Sequence, residues 1–262
     1  MNLHFISGLP RSGSTLLAAI LRQNPRFTAG MSSPMYGCVS AVQRAMSGNN
    51  ELAYQLTKEA KWRVLRGIGD SLYPVQDVVF DTNRRWCGKM GLINEIWPKA
   101  KVIVCVRHVS WIMDSFECAF RRNPLDLSGM FDFNVSTTVY SRVNKLATSD
   151  GVVGSALDAL REAFYGEHAY KLLVIDYGEL AHRPQATMQK IYRFIGEPKF
   201  DHDFEHVEFA EESFDSKLGM PGLHTVRPKV EFKARQTILP PDLFNRFAQD
   251  DFWLMRERKM VG

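Results

Sequence analysis

The stretch Phe5-Ile6-Ser7-Gly8-Leu9-Pro10-Arg11-Ser12-Gly13-Ser14-Thr15-Leu16-Leu17 constrains this chain more than any other. Residues 3–6, apolar except for His4, read as a buried strand, and residues 8–13 as a tight loop. Strong helix formers over residues 15–23 predict a helix that Asn24-Pro25 stops. Strand, glycine loop and helix start together make an anion site. Backbone N–H groups without intrahelical partners point at a ligand, and the helix dipole adds partial positive charge. Glycine lets the backbone approach with no Cβ in the way.

The rest of the chain supplies the sheet such a loop needs. Residues 101–106 (K-V-I-V-C-V) are a continuous β-branched run, as expected for a parallel strand buried on both faces. Residues 75–80 predict a second strand that ends at Asp81, and residues 171–175 predict another. Helices are expected over 38–46, 52–72, 91–97, 109–120, 156–164 and 184–196. The 52–72 helix is read with one buried stripe of Leu52, Leu56, Ala60, Val64 and Ile68. Residues 26–34 and 209–233 read as loop, 129–134 as an irregular loop before further helix, and 240–258 as a terminal amphipathic helical region. Strands alternating with helices predict an α/β fold: one domain over residues 1–262, with a central, mostly parallel sheet flanked by helices.

Composition narrows the partners. A net charge of +4 and a pI near 8.8 suit an anionic ligand and are too mild for a nucleic-acid binder. No apolar run approaches the roughly 20 residues of a membrane span, and polar and glycine residues from Ser7 onward leave no room for a signal peptide. Cys38, Cys87, Cys105 and Cys118 lack C-x-x-C or metal-ligand spacing. No metal and a reducing, cytoplasmic setting are expected. Oligomeric state has no signal in the sequence.

The loop has the two glycines of a phosphate-binding G-x-x-x-x-G-K-[ST] motif, Gly8 and Gly13, but Ser14 stands where the lysine belongs and a cation comes early, as Arg11. Pro10-Arg11-Ser12-Gly13-Ser14-Thr15 instead resembles the 5′-phosphosulfate loop of sulfotransferases that use 3′-phosphoadenosine 5′-phosphosulfate (PAPS). The arginine form is similar to loops of protein-tyrosine and many bacterial sulfotransferases. A second family signature, an arginine at a strand end with a serine eight positions on, both on the 3′-phosphate, is matched by Arg107 and Ser115. The guanidinium is a planar, permanently charged fork suited to phosphate.

This resemblance implies a P-loop NTPase-like three-layer sandwich. It implies transfer of a sulfonate from PAPS to a hydroxyl or amine of an unidentified acceptor, releasing adenosine 3′,5′-bisphosphate (PAP). By the same likeness Arg11, the loop N–H groups and the hydroxyls of Ser14 and Thr15 address the leaving oxygen. Tyr177, in the segment after the 171–175 strand, either lies near the adenine or packs at a strand end. A late basic loop closes over the 3′-phosphate in cytosolic members; its R-K-G core is absent, and Arg227 or Lys229 is the positional equivalent.

The base departs from the family. Cytosolic members place a histidine at the end of the second strand and tyrosylprotein members a glutamate after the first helix; here Ser32 or Ser33 holds the glutamate's place. Asp81 is the candidate base, or it caps the following turn. Arg84 is a candidate for stabilising the transferring sulfonate, and His108 for contacting phosphate or solvent. The rival readings are a divergent nucleotide or small-molecule kinase and a catalytically silent nucleotide-binding relative.

Overall fold

Strands that are apolar on both faces must be covered on both, and that requirement sets the architecture. The computed structural model describes residues 2–73, 77–123, 125, 137–209, 212–217, 220 and 222–254. Among them β1 (Asn2–Gly8), β2 (Phe27–Ala29), β3 (Val78–Thr82), β4 (Val102–Val106) and β5 (Leu172–Asp176) form one sheet in the order β2-β3-β1-β4-β5. Every pairing is parallel. Alternate strand residues enter opposite layers. Leu3, Phe5, Val79, Val102 and Val104 pack with one set of helices. Ile6, Val78, Phe80, Ile103 and Cys105 pack with the other.

The helices follow as α1 (Ser14–Leu21), α2 (Met35–Ala45), α3 (Glu51–Gln55), α4 (Lys58–Leu72), α5 (Met90–Ile96), α6 (Val109–Arg121), α7 (Val139–Ala147) and α8 (Gly154–Tyr165). Then come α9 (Tyr177–His182), α10 (Pro184–Ile195), α11 (Glu212–Lys217) and α12 (Pro241–Arg246). The buried residues of α1 and α10 lie in the layer of Ile6, whereas those of α5, α6, α7 and α8 lie in the layer of Phe5. This is the three-layer α/β sandwich of the P-loop NTPase-like class.

The sheet's order places the site. The chain runs from β1 to β2 and β3 on one side, then crosses to β4 and β5 on the other. Strand order therefore reverses at β1, and the crevice outside the carboxyl ends of β1 and β4 is the switch point where such sheets bind ligands. Gly8 pairs with Cys105 there, so the glycine loop and Arg107 leave the sheet side by side.

Several expectations shift. The 52–72 helix is two: Thr57 interrupts it and caps α4, its Oγ1 accepting from the Ala60 N–H at 3.2 Å. The buried stripe rotates with that restart, leaving Leu52 (54%) and Val64 (43%) exposed while Leu65 and Gly69 are buried. Gly69 packs closely there, and a Cβ would lie 3.1 Å from Met35 Cε. Within the expected 26–34 loop lies β2, a three-residue strand beside β3. The second strand runs Val78–Thr82, so Asp81 lies within it instead of after it. The terminal helix is only Pro241–Arg246, and the 129–134 loop and residues 255–258 lie outside the described residues. Among the described residues no helix is long and apolar enough to cross a membrane, and no cluster of three or more histidine, cysteine or acidic residues could hold a metal.

Candidate active site

The loop after β1 is shaped by close approach. Gly8 has φ +109°, and a Cβ on it would fall 2.2 Å from the Cys105 carbonyl oxygen. The Leu9 N–H donates to that same oxygen at 2.9 Å. Arg11 takes a left-handed φ of 58°, a conformation that costs a non-glycine residue about 1 kcal/mol. Ser12 is buried, and its hydroxyl donates to the Cys105 carbonyl at 2.9 Å and to that of Leu9. Its hydroxyl therefore fastens the loop to β4, and what Ser12 offers a ligand is its backbone N–H. Gly13 (φ +90°) is the N-cap of α1, and a Cβ there would meet the Tyr177 ring at 2.9 Å. The first turn of α1 has neither a capping side chain nor an acidic residue. Pro10, Ser14 and Thr15 are half-buried around it. An uncapped, acid-free helix start is an open anion site.

Arg11 and Arg107 share the space in front of that helix start. Arg11 Nε donates to Ser115 Oγ at 3.1 Å, and its Nη1 donates to the Leu223 carbonyl. Arg107 Nη1 reaches the Arg11 carbonyl at 3.4 Å, and its guanidinium lies 4.6 Å over the Tyr177 ring. Burial, and then the neighbouring Arg107, lower the Arg11 pKa to about 10, which leaves it charged at neutral pH. Burial likewise lowers that of Arg107. Among the described residues neither forms a salt bridge. Asp215 acts on Arg11, and Asp114 and Asp176 on Arg107, but they offset only part of the burial cost, so two desolvated cations outside any salt bridge are stabilised by a bound anion. The structure thus brings the loop, Arg107, Ser115 and Tyr177 together.

Asp81 is placed differently. It has no exposed surface; Oδ1 accepts from Trp86 Nε1 at 2.6 Å, and Oδ2 accepts from the Tyr73 hydroxyl at 2.8 Å and from Ser33 Oγ. Burial raises its pKa against those three hydrogen bonds. Enclosed in β3, the carboxylate is not presented to an acceptor. It ties Ser33 and Tyr73 to the sheet. Arg84 is exposed on the 3-10 turn Arg84–Lys89, whose start is pinned when Ser7 Oγ donates to the Arg84 carbonyl at 2.9 Å.

The C-terminal segment is also placed anew. Arg227 is exposed, and among the described residues no hydrogen bond or ion pair joins it to Arg107 or Ser115. Lys229 pairs with Glu205 at 2.7 Å. The late cation whose charge bears on Arg107 is Arg235, paired with Asp114 and 5.1 Å over the Trp111 ring. His108 caps α6 by accepting from the Ser110 N–H at 3.3 Å, with Asp251 on its other nitrogen. Unforeseen from the sequence is His224, whose ring and backbone are both held by the buried Asp215.

A sheet with this order has parallels among solved structures. The fold is similar to the sulfotransferase domain from the curacin biosynthetic pathway: TM-score 0.52, 13% identity, covering 98% of this chain and 97% of that one. A sulfotransferase domain from the Synechococcus PCC 7002 olefin synthase aligns at 0.48 with 18% identity over 95% and 94% of the two chains. Mycobacterium tuberculosis sulfotransferase STF1 aligns at 0.49 with 15% identity over 76% and 68%. No curated protein matches by sequence. A model of the sulfotransferase family matches residues 4–202, well over half of the chain. The chain belongs to the sulfotransferase family.

Proposed function

We propose that this enzyme transfers a sulfonate from PAPS to a hydroxyl or amine of an acceptor, releasing PAP. One observation carries the reading: Arg11 and Arg107, desolvated and outside any salt bridge among the described residues, meet at the switch point before an uncapped helix start. That donor set fits a ligand with anionic groups at two ends. The loop N–H groups, Ser14, Thr15 and Arg11 hold the 5′-phosphosulfate, while Arg107 and Ser115 hold the 3′-phosphate. Tyr177, stacked under Arg107, walls the nucleotide side. Transfer of this kind depends on positioning and on electrostatic stabilisation of the leaving oxygen, as in phosphoryl transfer. Arg11 is the cation placed for that task. Arg84, at the rim, steadies the moving sulfonate. Asp81 acts by fixing the acceptor wall through Ser33 and Tyr73. Arg227 has the weakest geometric support of the expected nucleotide contacts. Four unpaired cysteines suit a reducing cytoplasm.

The test is transfer of label from [35S]PAPS to a panel of phenols, glycans, lipids and tyrosine peptides. Labelled product is expected with at least one class, and Arg11→Ala should lower turnover by about 100-fold or more. Near wild-type turnover in that variant would remove Arg11 from the chemistry. Binding of ATP–Mg in preference to PAP would favour a kinase.

A further inference from the structure

Sulfonate transfer to a hydroxyl needs a group to take the proton, and Asp81 is enclosed. Among the described residues, His224 is held by a buried carboxylate and follows directly on Leu223, whose carbonyl Arg11 contacts. His224 Nδ1 lies 2.5 Å from Asp215 Oδ1, and its backbone N–H donates to Asp215 Oδ2 at 2.7 Å. Asp215 has no exposed surface, so one buried carboxylate grips both the ring and the main chain of the same residue. Gly222, with φ +76°, turns the chain between them, and the Leu223 N–H closes the turn on the Met220 carbonyl at 3.2 Å.

The turn also touches the loop. The Leu223 carbonyl accepts from Arg11 Nη1, so the residue next to His224 is bonded to the arginine of the leaving-group side. Among the described residues, the charged groups bearing on His224 include Asp215 on α11, Arg11 on the glycine loop and Arg84 on the 3-10 turn. Two cations of the candidate site, Arg11 and Arg84, therefore bear on His224.

We propose that His224 is the general base of the transfer and Asp215 its positioning residue, delivered by the C-terminal segment instead of by a strand end. This rests on the sulfotransferase reading above. A carboxylate facing Nδ1 fixes a proton there and puts the lone pair on Nε2, the arrangement a base requires. Burial, with Arg11 and Arg84 adding to it, holds the imidazole pKa below its ordinary value despite Asp215, so the ring is neutral at pH 7. In the step, the acceptor O–H gives its proton to Nε2 as its oxygen bonds to sulfur. The bond between sulfur and the 5′-phosphate oxygen breaks, and its electron pair stays on that oxygen, facing Arg11 and the start of α1. The imidazolium later returns its proton to solvent.

The experiment compares wild type, His224→Gln and Asp215→Asn for PAP binding by calorimetry and for PAP release from PAPS, with water or an added phenol as acceptor. His224→Gln should bind PAP within about threefold of wild type and lose at least 100-fold in turnover. The acidic limb of its pH–rate profile should vanish, and the defect should shrink with a phenol already ionised at the assay pH. Asp215→Asn should shift that limb. Turnover of His224→Gln within threefold of wild type, or loss of its PAP binding, overturns the base assignment and leaves the sulfotransferase reading standing. A wild-type enzyme that neither binds PAP nor releases it from PAPS overturns the reading itself.

Discussion

At the scale of single residues, side chains whose polar atoms are left short of partners show where function and cost reside. Arg11 and Arg107 belong to the site. His4 does not: it is buried in β1, its Nδ1 accepts from the Lys101 N–H at 3.2 Å, and its Nε2 has no partner among the described residues. Burial lowers its pKa from 6.5 to about 4. Below pH 6.5 the unfolded chain binds a proton at this residue that the folded chain refuses until about pH 4, so stability falls as pH falls through that window. The loss from this group is at most about 3 kcal/mol. Denaturant titrations at pH 7 and pH 4.5 should show a smaller acid loss for His4→Gln than for wild type. Equal losses would assign the acid sensitivity elsewhere.

Elements are legible in the sequence where their signal is local. The strand, glycine loop and α1 are encoded within about twenty consecutive residues, and β4 by an unbroken β-branched run, so both can be read from residue order alone. The three residues of β2 carry no periodicity and exist because β3 needs a neighbour. The split between α3 and α4 turns on one threonine cap within an otherwise continuous helical pattern. In the C-terminal strap, residues 235–239, one carboxylate gathers three groups: Asp114, fully buried on α6, accepts from Thr237 Oγ1 and the Ile238 N–H, each at 2.7 Å, and pairs with Arg235. Removing it takes that acceptor from Thr237, Ile238, Arg235 and the Cys118 thiol. Asp114→Ala should cost about 3 kcal/mol and speed amide exchange over residues 235–239 more than in β1 and β4. Unchanged exchange in the strap would show that other contacts hold it.

At the scale of the whole molecule, function depends on pieces far apart in sequence arriving at one crevice. Arg11 to Ser115 and Arg11 to Leu223 are the joins. The first joins residues that two separate family signatures single out, although neither signature names the contact. The second, and with it the dyad of His224 and Asp215, is not legible, since a histidine and an aspartate across an irregular turn leave no spacing to read. The setting of Asp81 is hidden for the same reason: residue type and strand end are visible, but its enclosure by Trp86, Tyr73 and Ser33 exists only once the layers are assembled. The switch point at β1 brings these separate pieces to one crevice, and the proposed function reads that crevice as a clamp with a phosphate position at each end. Calorimetric titration of wild type and Arg107→Ala with PAP, 5′-AMP and ATP–Mg measures that clamp most directly. PAP should bind wild type more tightly than either other nucleotide, and Arg107→Ala should weaken PAP by at least tenfold while barely affecting 5′-AMP. Equal affinity for PAP and 5′-AMP, or preference for ATP–Mg, would contradict a two-ended site.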